Sequence, residues 1–384
     1  MNTTSLIFGA FRRHKLRTLF TVLSIAIAFA VYLVLATFYN GINGVTYYAN
    51  AQRLMIWGET APLPLSYAPK IASIPGVTAV NRTVGFAAYF SGAKYWVYVL
   101  AADPDAYFSV YPEYKLGDAE RRAFAADRQG AVAGAVLAKR MGWKVGDTIH
   151  LQNGLVQKNG KNVWVFHLVG IFDAPGIPEG YQQGFVANYA YVNEGRADAA
   201  RKDTADNFQV MVDNPRRTNS VAHSIEAMFA HSSPPTLAAP DQLLIASILK
   251  SFGDIGALLI AICAAVFCSM LLVTGNTMAS SVRDRLHEYA LLRALGFSRG
   301  RVAGLVLRET GMLIGSGAGL GVVLGWQIFE SLKVVVTQNL PAFIITWQTL
   351  VLAAGLALGF ALITGLLPAR RVTNLAVAET LRRS

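Results

Sequence analysis

The chain has 384 residues, of which 53% are hydrophobic and 15% are charged, whereas an ordinary soluble domain carries about 25% charged residues. The formal net charge of +11 could indicate nucleic acid, so the position of the basic residues decides whether that class applies. Both cysteines lie in one apolar run and the six histidines are scattered, which argues against a disulfide framework and against a metal site.

Four segments are long and apolar enough to cross a membrane, since a hydrocarbon core about 30 Å thick requires roughly 20 helical residues. The first could be a cleaved signal peptide. Its apolar core exceeds the roughly 7–15 residues of such a signal and no small-residue cleavage site follows, which favours a retained anchor. Pro368 is expected to close the fourth segment. The predicted membrane helices are residues 18–38, 255–280, 310–331 and 347–367.

The positive charge is concentrated in the N-terminal segment, the loop after the second helix and the C-terminal tail. These three hold 14 basic and 4 acidic residues, hence +10 of the total +11. Basic loops remain in the cytoplasm, so both termini are predicted to be cytoplasmic and nucleic acid has no part. The remaining predicted segments are an amphipathic segment 1–17, an outer domain 39–245, a stalk leading into the second helix within 246–280, a cytoplasmic loop 281–309, a short external loop 332–346 and a tail 368–384.

The outer domain alternates strand-like and helix-like stretches, which predicts an α+β domain with two lobes. Ala131–Met141 is expected to be a helix capped by Gly142, and Asn159-Gly160 a hairpin turn between two strands. Gly154–Lys161 lacks the spacing of a phosphate-binding loop, no catalytic motif is present, and Asp103 and Asp105 are assigned to turns. The fold class is therefore a multi-pass α-helical membrane protein with four transmembrane helices and a large α+β extracytoplasmic domain inserted between helices 1 and 2.

The membrane segments carry no ionisable residue at their centres, which disfavours an ion-coupled transporter or an intramembrane protease. Arg308 and Glu309, at the entry of the third helix, are expected to snorkel or to pair with each other. The third and fourth helices carry glycines four residues apart, a spacing that allows close helix packing or dimer contacts. These glycines are Gly311, Gly315 and Gly319, then Gly317, Gly321 and Gly325, and finally Gly355 and Gly359.

The loop segment 281–298 has the pattern of a short amphipathic helix at the membrane surface. Leu286, Tyr289, Leu292 and Leu295 recur every three residues, and Gly296 is expected to end the helix. The alternative is an interfacial helix that binds no partner.

Four stretches of the chain resemble stretches of the FtsX-like permeases, and they occur along the chain in the same order as in that family. This group contains the macrolide-exporter (MacB-like) and lipoprotein-releasing ABC transporters. The subfamily is not resolved. The stretches are Glu288-Tyr-Ala-Leu-Leu-Arg-Ala-Leu-Gly296, Phe11-Arg-Arg-His-Lys-Leu-Arg-Thr18, Gly130-Ala-Val-Ala-Gly-Ala-Val-Leu-Ala138 with Gly142-Trp-Lys-Val-Gly-Asp-Thr148, and Pro368-Ala-Arg-Arg371 with Ala378-Glu-Thr-Leu-Arg382.

This resemblance implies a dimerising permease of the bacterial inner membrane that is not an enzyme by itself. A separate ABC ATPase would bind ATP and Mg²⁺, and the permease would bind no cofactor directly. ATP hydrolysis would move the outer domain, a process called mechanotransmission, and would drive export or extraction of a substrate. Further partners implied are a second permease copy or a paralogue, a periplasmic adaptor protein and membrane lipids. The predicted ATPase-coupling residues are Glu288, Leu292, Arg293, Ala294 and Gly296.

A signalling role is the alternative, in which the same machine activates an extracytoplasmic hydrolase or regulator, as in FtsX-type division proteins. The two roles share one architecture, so the sequence leaves both open and does not specify the substrate.

Overall fold

The computed structural model describes residues 15–48, 50–90, 95–153, 155–244, 254–337 and 340–373. Residues 1–14 of the predicted amphipathic segment 1–17 and residues 374–384 of the tail 368–384 lie outside these residues, as does residue 154 in the loop-like stretch 154–161. The described chain divides into a helical unit and a second unit that comprises residues 41–253 and 336–343. We call the part of the second unit between the first two long helices the inserted domain.

Four helices are long and apolar enough to cross a membrane, which confirms the predicted architecture. Each is longer than the apolar segment from which it was predicted. Pro368 does not end the last helix, which continues to Thr373 because Ala369 and Val372 beyond the proline are buried against neighbouring helices. The long helices are α1 (Lys15–Tyr48), α8 (Ile255–Asp284), α10 (Arg299–Val336) and α11 (Trp347–Thr373).

The helical unit has an apolar centre built around three aromatic rings. Phe267 of α8 lies edge-on to Phe29 of α1, with ring centroids 5.4 Å apart, and its ring is 4.9 Å from that of Phe360 of α11. Ile25 and Ile314, both fully buried, complete the contact between α1 and α10. All four long helices thus contribute to one packed interior.

The inserted domain holds eleven described strands and six described helices that have named bounds. The helices are α2 (Tyr67–Ala72), α3 (Pro104–Val110), α4 (Asp118–Ala126), α5 (Ala135–Met141), α6 (Tyr189–Gly195) and α7 (Thr218–Phe229). The strands are β1 (Arg53–Gly58), β2 (Leu63–Pro64), β3 (Val77–Phe90), β4 (Tyr95–Ala102), β5 (Gly130–Gly134), β6 (Thr148–Asn153), β7 (Val163–Phe172), β8 (Phe185–Asn188), β9 (Thr204–Ala205), β10 (Asn207–Val212) and β11 (Thr236–Pro240).

The long strand β3 joins two lobes, as its pairings show. Its C-terminal half pairs with both β4 and β6, which closes β3, β4, β8, β5, β7 and β6 into a six-stranded ring. Its N-terminal half pairs with β10, and β10, β1 and β11 continue as an open antiparallel wing. The α+β domain with two lobes is confirmed.

Each lobe has its own core. The ring encloses alternate residues of its strands, such as Trp164, Phe166 and Leu168 of β7, all fully buried. The wing buries one face under α2 and α7, where the rings of Tyr67 and Phe229 stack 4.1 Å apart.

The expected helix over Ala131–Met141 is wrong in its first half. Gly130–Gly134 is the fully buried strand β5, paired with β7 and β8, and only Ala135–Met141 is helical. Small residues suit this strand because the backbone of Gln182 lies where a side chain at position 134 would be. The C-cap prediction is correct, since Gly142 has a left-handed φ of 70°.

The connection between α10 and α11 packs within the second unit. The backbone of Pro341 lies against Gly180 of the inserted domain, with no space for a β-carbon at position 180. The amide of Gln183 donates to the Thr337 hydroxyl at 2.7 Å. The predicted external loop 332–346 is thus shorter than expected, because α10 extends to Val336, and residues 340–343 fold with the inserted domain.

Candidate functional site at the loop helix

The segment between α8 and α10 forms the short helix α9 (Leu286–Ala294), which we call the loop helix. Helix α8 ends because Arg285 leaves helical geometry, with φ −115° and ψ 13°. At the other end Gly296 adopts a left-handed φ of 94°, and its N–H donates to the carbonyl of Arg293 at 3.1 Å. The loop helix is therefore set off by a bend at each end, as the pattern predicted for its C-terminus.

Arg285 forms an ion-pair network at the start of the loop helix. Its Nε donates to Glu288 at 3.0 Å, and its Nη1 donates to Glu309 of α10 at 2.8 Å. The side chains of Arg285 and Glu309 are 18% and 9% exposed, so this pair is shielded from solvent. Glu309 thus pairs with Arg285, and the expected pairing with Arg308 is wrong because Arg308 points to the exposed side of α10.

One face of the loop helix is anchored by burial. Tyr289 is 2% exposed and packs with Val302 and Val306 of α10 and Val372 of α11, and Ala290 is fully buried. Burial raises the pKa of Tyr289 to about 12, so its phenol is neutral at physiological pH. Buried apolar contacts and a shielded ion pair together hold the loop helix against its neighbours.

The opposite face presents apolar side chains outward. Leu291, Leu295 and Phe297 are 51%, 71% and 38% exposed, and we call these three the loop ridge. Two arginines that follow it at the start of α10, Arg299 and Arg301, are also exposed. The loop ridge is thus an apolar strip next to positive charge.

The predicted apolar face of the loop helix is wrong at Leu295, which does not pack with the other three residues of that face. A step of three residues turns a helix by about 300°, so the apolar repeat drifts by about 60° at each step. Leu286 and Leu292 pack inward beside Tyr289, whereas Leu295, three steps after Leu286, lies on the outer side and just beyond the helix.

The predicted coupling residues divide between the two faces. Three of them are half-buried and face the neighbouring helices: Glu288, Leu292 and Arg293. The guanidinium of Arg293, for example, lies 3.5 Å from the carbonyl of Thr373 in α11. Ala294 and Gly296 are exposed beside the loop ridge. The sequence reasoning missed Leu291 and Phe297. The i, i+4 spacing of Leu291 and Leu295 was the signal that could have indicated this second face.

The glycines of α10 also divide between two faces. Gly317, Gly321 and Gly325 lie against α1, where an added β-carbon would meet Ile25, Ala26 with Phe29, and Leu33. No described atom lies within 4 Å of such a carbon at Gly311, Gly315 or Gly319, nor at Gly355 and Gly359 of α11. One glycine series therefore packs within the helical unit, and the other lies on an open face.

The described residues contain no group of three or more His, Cys, Asp or Glu placed to hold a metal ion. Asp103, assigned to a turn by the sequence, accepts from the Asp105 N–H at the start of α3 and also pairs with Arg82.

Two family models cover most of the chain. Residues 18–228 match the MacB-like periplasmic core domain, and residues 255–377 match the FtsX-like permease C-terminal model. The chain belongs to the MacB/FtsX-like permease family. This family supplies permease subunits of the ABC-transporter type, which are non-catalytic components and imply an ABC ATPase as a partner. Membership and the four apolar helices place the permease in the inner membrane as a multi-pass protein.

Three solved structures resemble part of the permease. The periplasmic region of MacB from Actinobacillus actinomycetemcomitans is 10% identical, with a TM-score of 0.37, covering 52% of this chain and 93% of that one. A domain of a putative permease protein from Porphyromonas gingivalis is 17% identical (TM-score 0.36; coverage 49% and 90%). The extracellular domain of the noncanonic ABC-type transporter YknZ from Gram-positive bacteria is 8% identical (TM-score 0.36; coverage 49% and 99%). None of the curated proteins matches the permease.

Proposed function

We propose that this permease couples ATP hydrolysis by a separate ABC ATPase to movement of the inserted domain, and that this movement drives export or extraction of a substrate. The ATPase binds ATP and Mg²⁺ and contacts the permease at the loop ridge. Nucleotide-driven closure of two ATPase subunits moves the loop helices of two permease copies, or of one copy and a paralogue. A periplasmic adaptor protein is the expected partner on the outer side.

The loop ridge is the observation that carries this proposal. Exposed apolar side chains that lie together beside charged residues are typical of a protein-contact surface. The inner face of the same helix is fixed by Tyr289 and by the pairing of Arg285 with Glu309. A force applied to the loop ridge is therefore passed to α8 and α10 instead of being absorbed by a flexible loop.

The proposal requires the loop helix to face the cytoplasm. The basic residues of the chain support this orientation, since the N-terminal segment, the loop and the tail carry +10 of the total charge of +11. Cysteine labelling tests it: with Cys263 and Cys268 replaced by serine, His287→Cys should resist an impermeant thiol reagent in intact cells. Asn159→Cys should react. The reverse pattern would place the loop helix outside and remove the ATPase contact.

Substitution of Leu295 tests the ATPase contact directly. Leu295→Glu places a charge in the centre of the loop ridge, and central apolar residues dominate the affinity of protein interfaces. We expect capture of the co-expressed ABC ATPase to weaken at least about tenfold, with loss of ATPase stimulation. Val145→Glu is the matched control, because Val145 is 52% exposed and lies in the inserted domain. Unchanged capture and stimulation with Leu295→Glu would refute the assignment.

Glu288→Lys provides a second variant with a different signature. Because Glu288 accepts from Arg285, a lysine there repels the guanidinium and loosens the start of the loop helix. We expect weaker ATPase capture together with a lower Tm, whereas Leu295→Glu should leave the Tm unchanged. Equal capture by wild type and Glu288→Lys would show that the loop helix does not need this ion pair to bind the ATPase.

A further inference from the structure

The second unit contains a cleft of about 240 Å³ that the proposed function does not use. Its walls come from β4, from α3 and the segment after it, from α5, from β8 and the residues before it, and from the connection between α10 and α11. We call it the Arg140 cleft. Its principal lining residues are Trp96, Tyr98, Tyr114, Arg140, Gln183 and Pro341.

Aromatic side chains make one wall of the Arg140 cleft an apolar platform. Trp96 and Tyr98 alternate along β4 with Val97 and Val99, whose side chains are buried in the ring core, so they project from the outer face of the sheet. Their ring centroids are 6.4 Å apart, and Tyr98 is 50% exposed. An exposed aromatic platform of this kind binds apolar chains or rings.

Arg140 supplies the charge of the cleft. Among the described residues that line it, Arg140 is the one with a charged side chain, and this lining includes no carboxylate. Its Nη1 donates to the Gln183 Oε1 at 2.8 Å, while its Nε is buried and has no hydrogen-bond partner among the described residues. Burial without a counter-charge lowers the pKa of Arg140, although a guanidinium stays protonated at neutral pH.

The position of Arg140 is fixed by a short chain of hydrogen bonds. The Gln183 side chain accepts from Arg140 at one end and donates to the Thr337 hydroxyl at the other, at 2.7 Å. Thr337 and Pro341 belong to the connection between α10 and α11, so this connection forms part of the cleft. A ligand on Arg140 would therefore lie beside Pro341 of this connection.

We propose that the Arg140 cleft binds a small anionic amphiphile, with its carboxylate or phosphate on the guanidinium of Arg140 and its apolar part on Trp96 and Tyr98. An anion supplies the missing counter-charge of the guanidinium, and the aromatic wall takes the hydrocarbon. The volume is below the roughly 300–1,000 Å³ of sites for drug-sized ligands, so the occupant is a short chain, a single ring or a headgroup. The proposal concerns binding alone and its test contains no ATPase, so it stands or fails separately from the proposed function.

Three eight-carbon ligands that differ in charge test this proposal with the full-length permease in phosphatidylcholine nanodiscs. Radiolabelled octanoate, octanol and octyltrimethylammonium are measured by equilibrium dialysis, with empty nanodiscs as the blank. We expect octanoate to bind at least about tenfold more tightly than octanol, since hydrogen bonds to charged groups are worth this factor or more. Octyltrimethylammonium should not bind above the blank. Equal binding of octanoate and octanol, or no binding of octanoate, would overturn the proposal.

Variants of neighbouring basic residues assign the preference to one side chain. Arg140→Gln should remove the preference for octanoate while leaving octanol binding unchanged, and Arg140→Lys should retain part of it. Lys139→Gln is the matched control, because Lys139 is the adjacent, exposed residue of α5. Retention of the full preference in Arg140→Gln, or its loss in Lys139→Gln, would refute the assignment to Arg140.

Nanodiscs that contain phosphatidylglycerol identify the source of the ligand. If the natural occupant is the headgroup of an anionic lipid, phosphatidylglycerol in the bilayer should compete and weaken octanoate binding to wild type but not to Arg140→Gln. If the occupant is a free solute, octanoate binding should be the same in both bilayers. Either result supports an anionic site. The two results differ in whether the site is filled from the bilayer or from solution.

Discussion

The guanidinium of Arg285 lies 2.8 Å from the carboxylate of Glu309, and this contact joins the bend after α8 to the side of α10. Glu309 is 9% exposed, which makes it a nearly buried carboxylate of α10. Such a charge is tolerated because Arg285 neutralises it, and the same contact fixes where the loop helix begins.

Removal of Arg285 should therefore destabilise the permease markedly. Arg285→Ala leaves the Glu309 carboxylate shielded and unpaired, and we expect a loss of roughly 3 kcal/mol in the free energy of unfolding. Arg285→Ala combined with Glu309→Gln should lose less, because no unpaired charge remains. Thermal unfolding in nanodiscs, followed by tryptophan fluorescence, measures both.

Arg308→Ala is the control for this pair, since Arg308 is adjacent to Glu309 in sequence but exposed. We expect it to change stability by less than about 0.5 kcal/mol. A loss as large as that of Arg285→Ala would mean that Arg308 is the true partner of Glu309.

Gly321 and Gly319 make a matched pair on the two faces of α10. A side chain at position 321 would collide with Ala26 and Phe29 of α1, whereas position 319 has open space within 4 Å of its β-carbon. We expect Gly321→Val to cost about 2 kcal/mol through overpacking and Gly319→Val to leave the stability of the protomer unchanged. Thermal unfolding in nanodiscs measures this difference.

Gly319→Val has a second use, because the open glycine face is our candidate for the dimer contact. If Gly311, Gly315 and Gly319 meet a second copy, Gly319→Val should lower the dimer fraction measured by light scattering without lowering the Tm of the protomer. An unchanged dimer fraction would place the dimer contact elsewhere.

The membrane architecture could be predicted from the sequence because hydrophobic length and charge asymmetry are local properties. The four helices, the inserted α+β domain and the C-cap at Gly142 required no knowledge of distant contacts. Strand β5 did require it: Gly130–Gly134 has a composition compatible with a helix, and its pairing with β7 and β8 determines that it is extended.

The loop helix was also only partly predictable from the sequence, because the direction of its side chains depends on distant contacts. The sequence located it and its terminating Gly296, but it could not tell which charged residues face inward. Glu288 was predicted as a coupling residue, but it accepts a hydrogen bond from Arg285, which is also held by Glu309 of α10. The cleft around Arg140 was beyond sequence reasoning altogether, since its walls come from five separate parts of the chain.

The contact between Gly180 and Pro341 should be sensitive to a single methyl group. A β-carbon at position 180 would overlap the Pro341 backbone, whereas one at Gly184 would make an ordinary contact with Phe172 at 3.5 Å. We expect Gly180→Ala to displace residues 340–343 from the inserted domain and Gly184→Ala to leave them in place. Hydrogen exchange of peptides spanning 336–346 reports this displacement. Equal protection in the two variants would show that Pro341 does not need this contact.

Asp241 directly follows the last residue of β11 and lies in a buried ion-pair cluster. Arg53 donates to Asp241 at 2.5 Å and to Glu113 at 2.8 Å, and its guanidinium lies 4.0 Å from the centre of the Tyr111 ring. Burial raises the pKa of Asp241, and the attraction of Arg53 offsets only part of this effect. Burial alone would lower the pKa of Arg53, but the neighbouring carboxyl groups of Asp241 and Glu113 outweigh burial and raise it.

The stability of the permease should therefore respond to pH through Asp241. A carboxylate whose pKa is raised by folding binds its proton more tightly in the folded state, so it contributes stability at low pH. This contribution is lost as the pH rises from the ordinary pKa of about 4 through the higher folded-state value. We expect the Tm of wild type minus that of Asp241→Asn to fall between pH 4 and pH 7. A difference that grows with pH would mean that Arg53 more than compensates for the burial of the carboxylate.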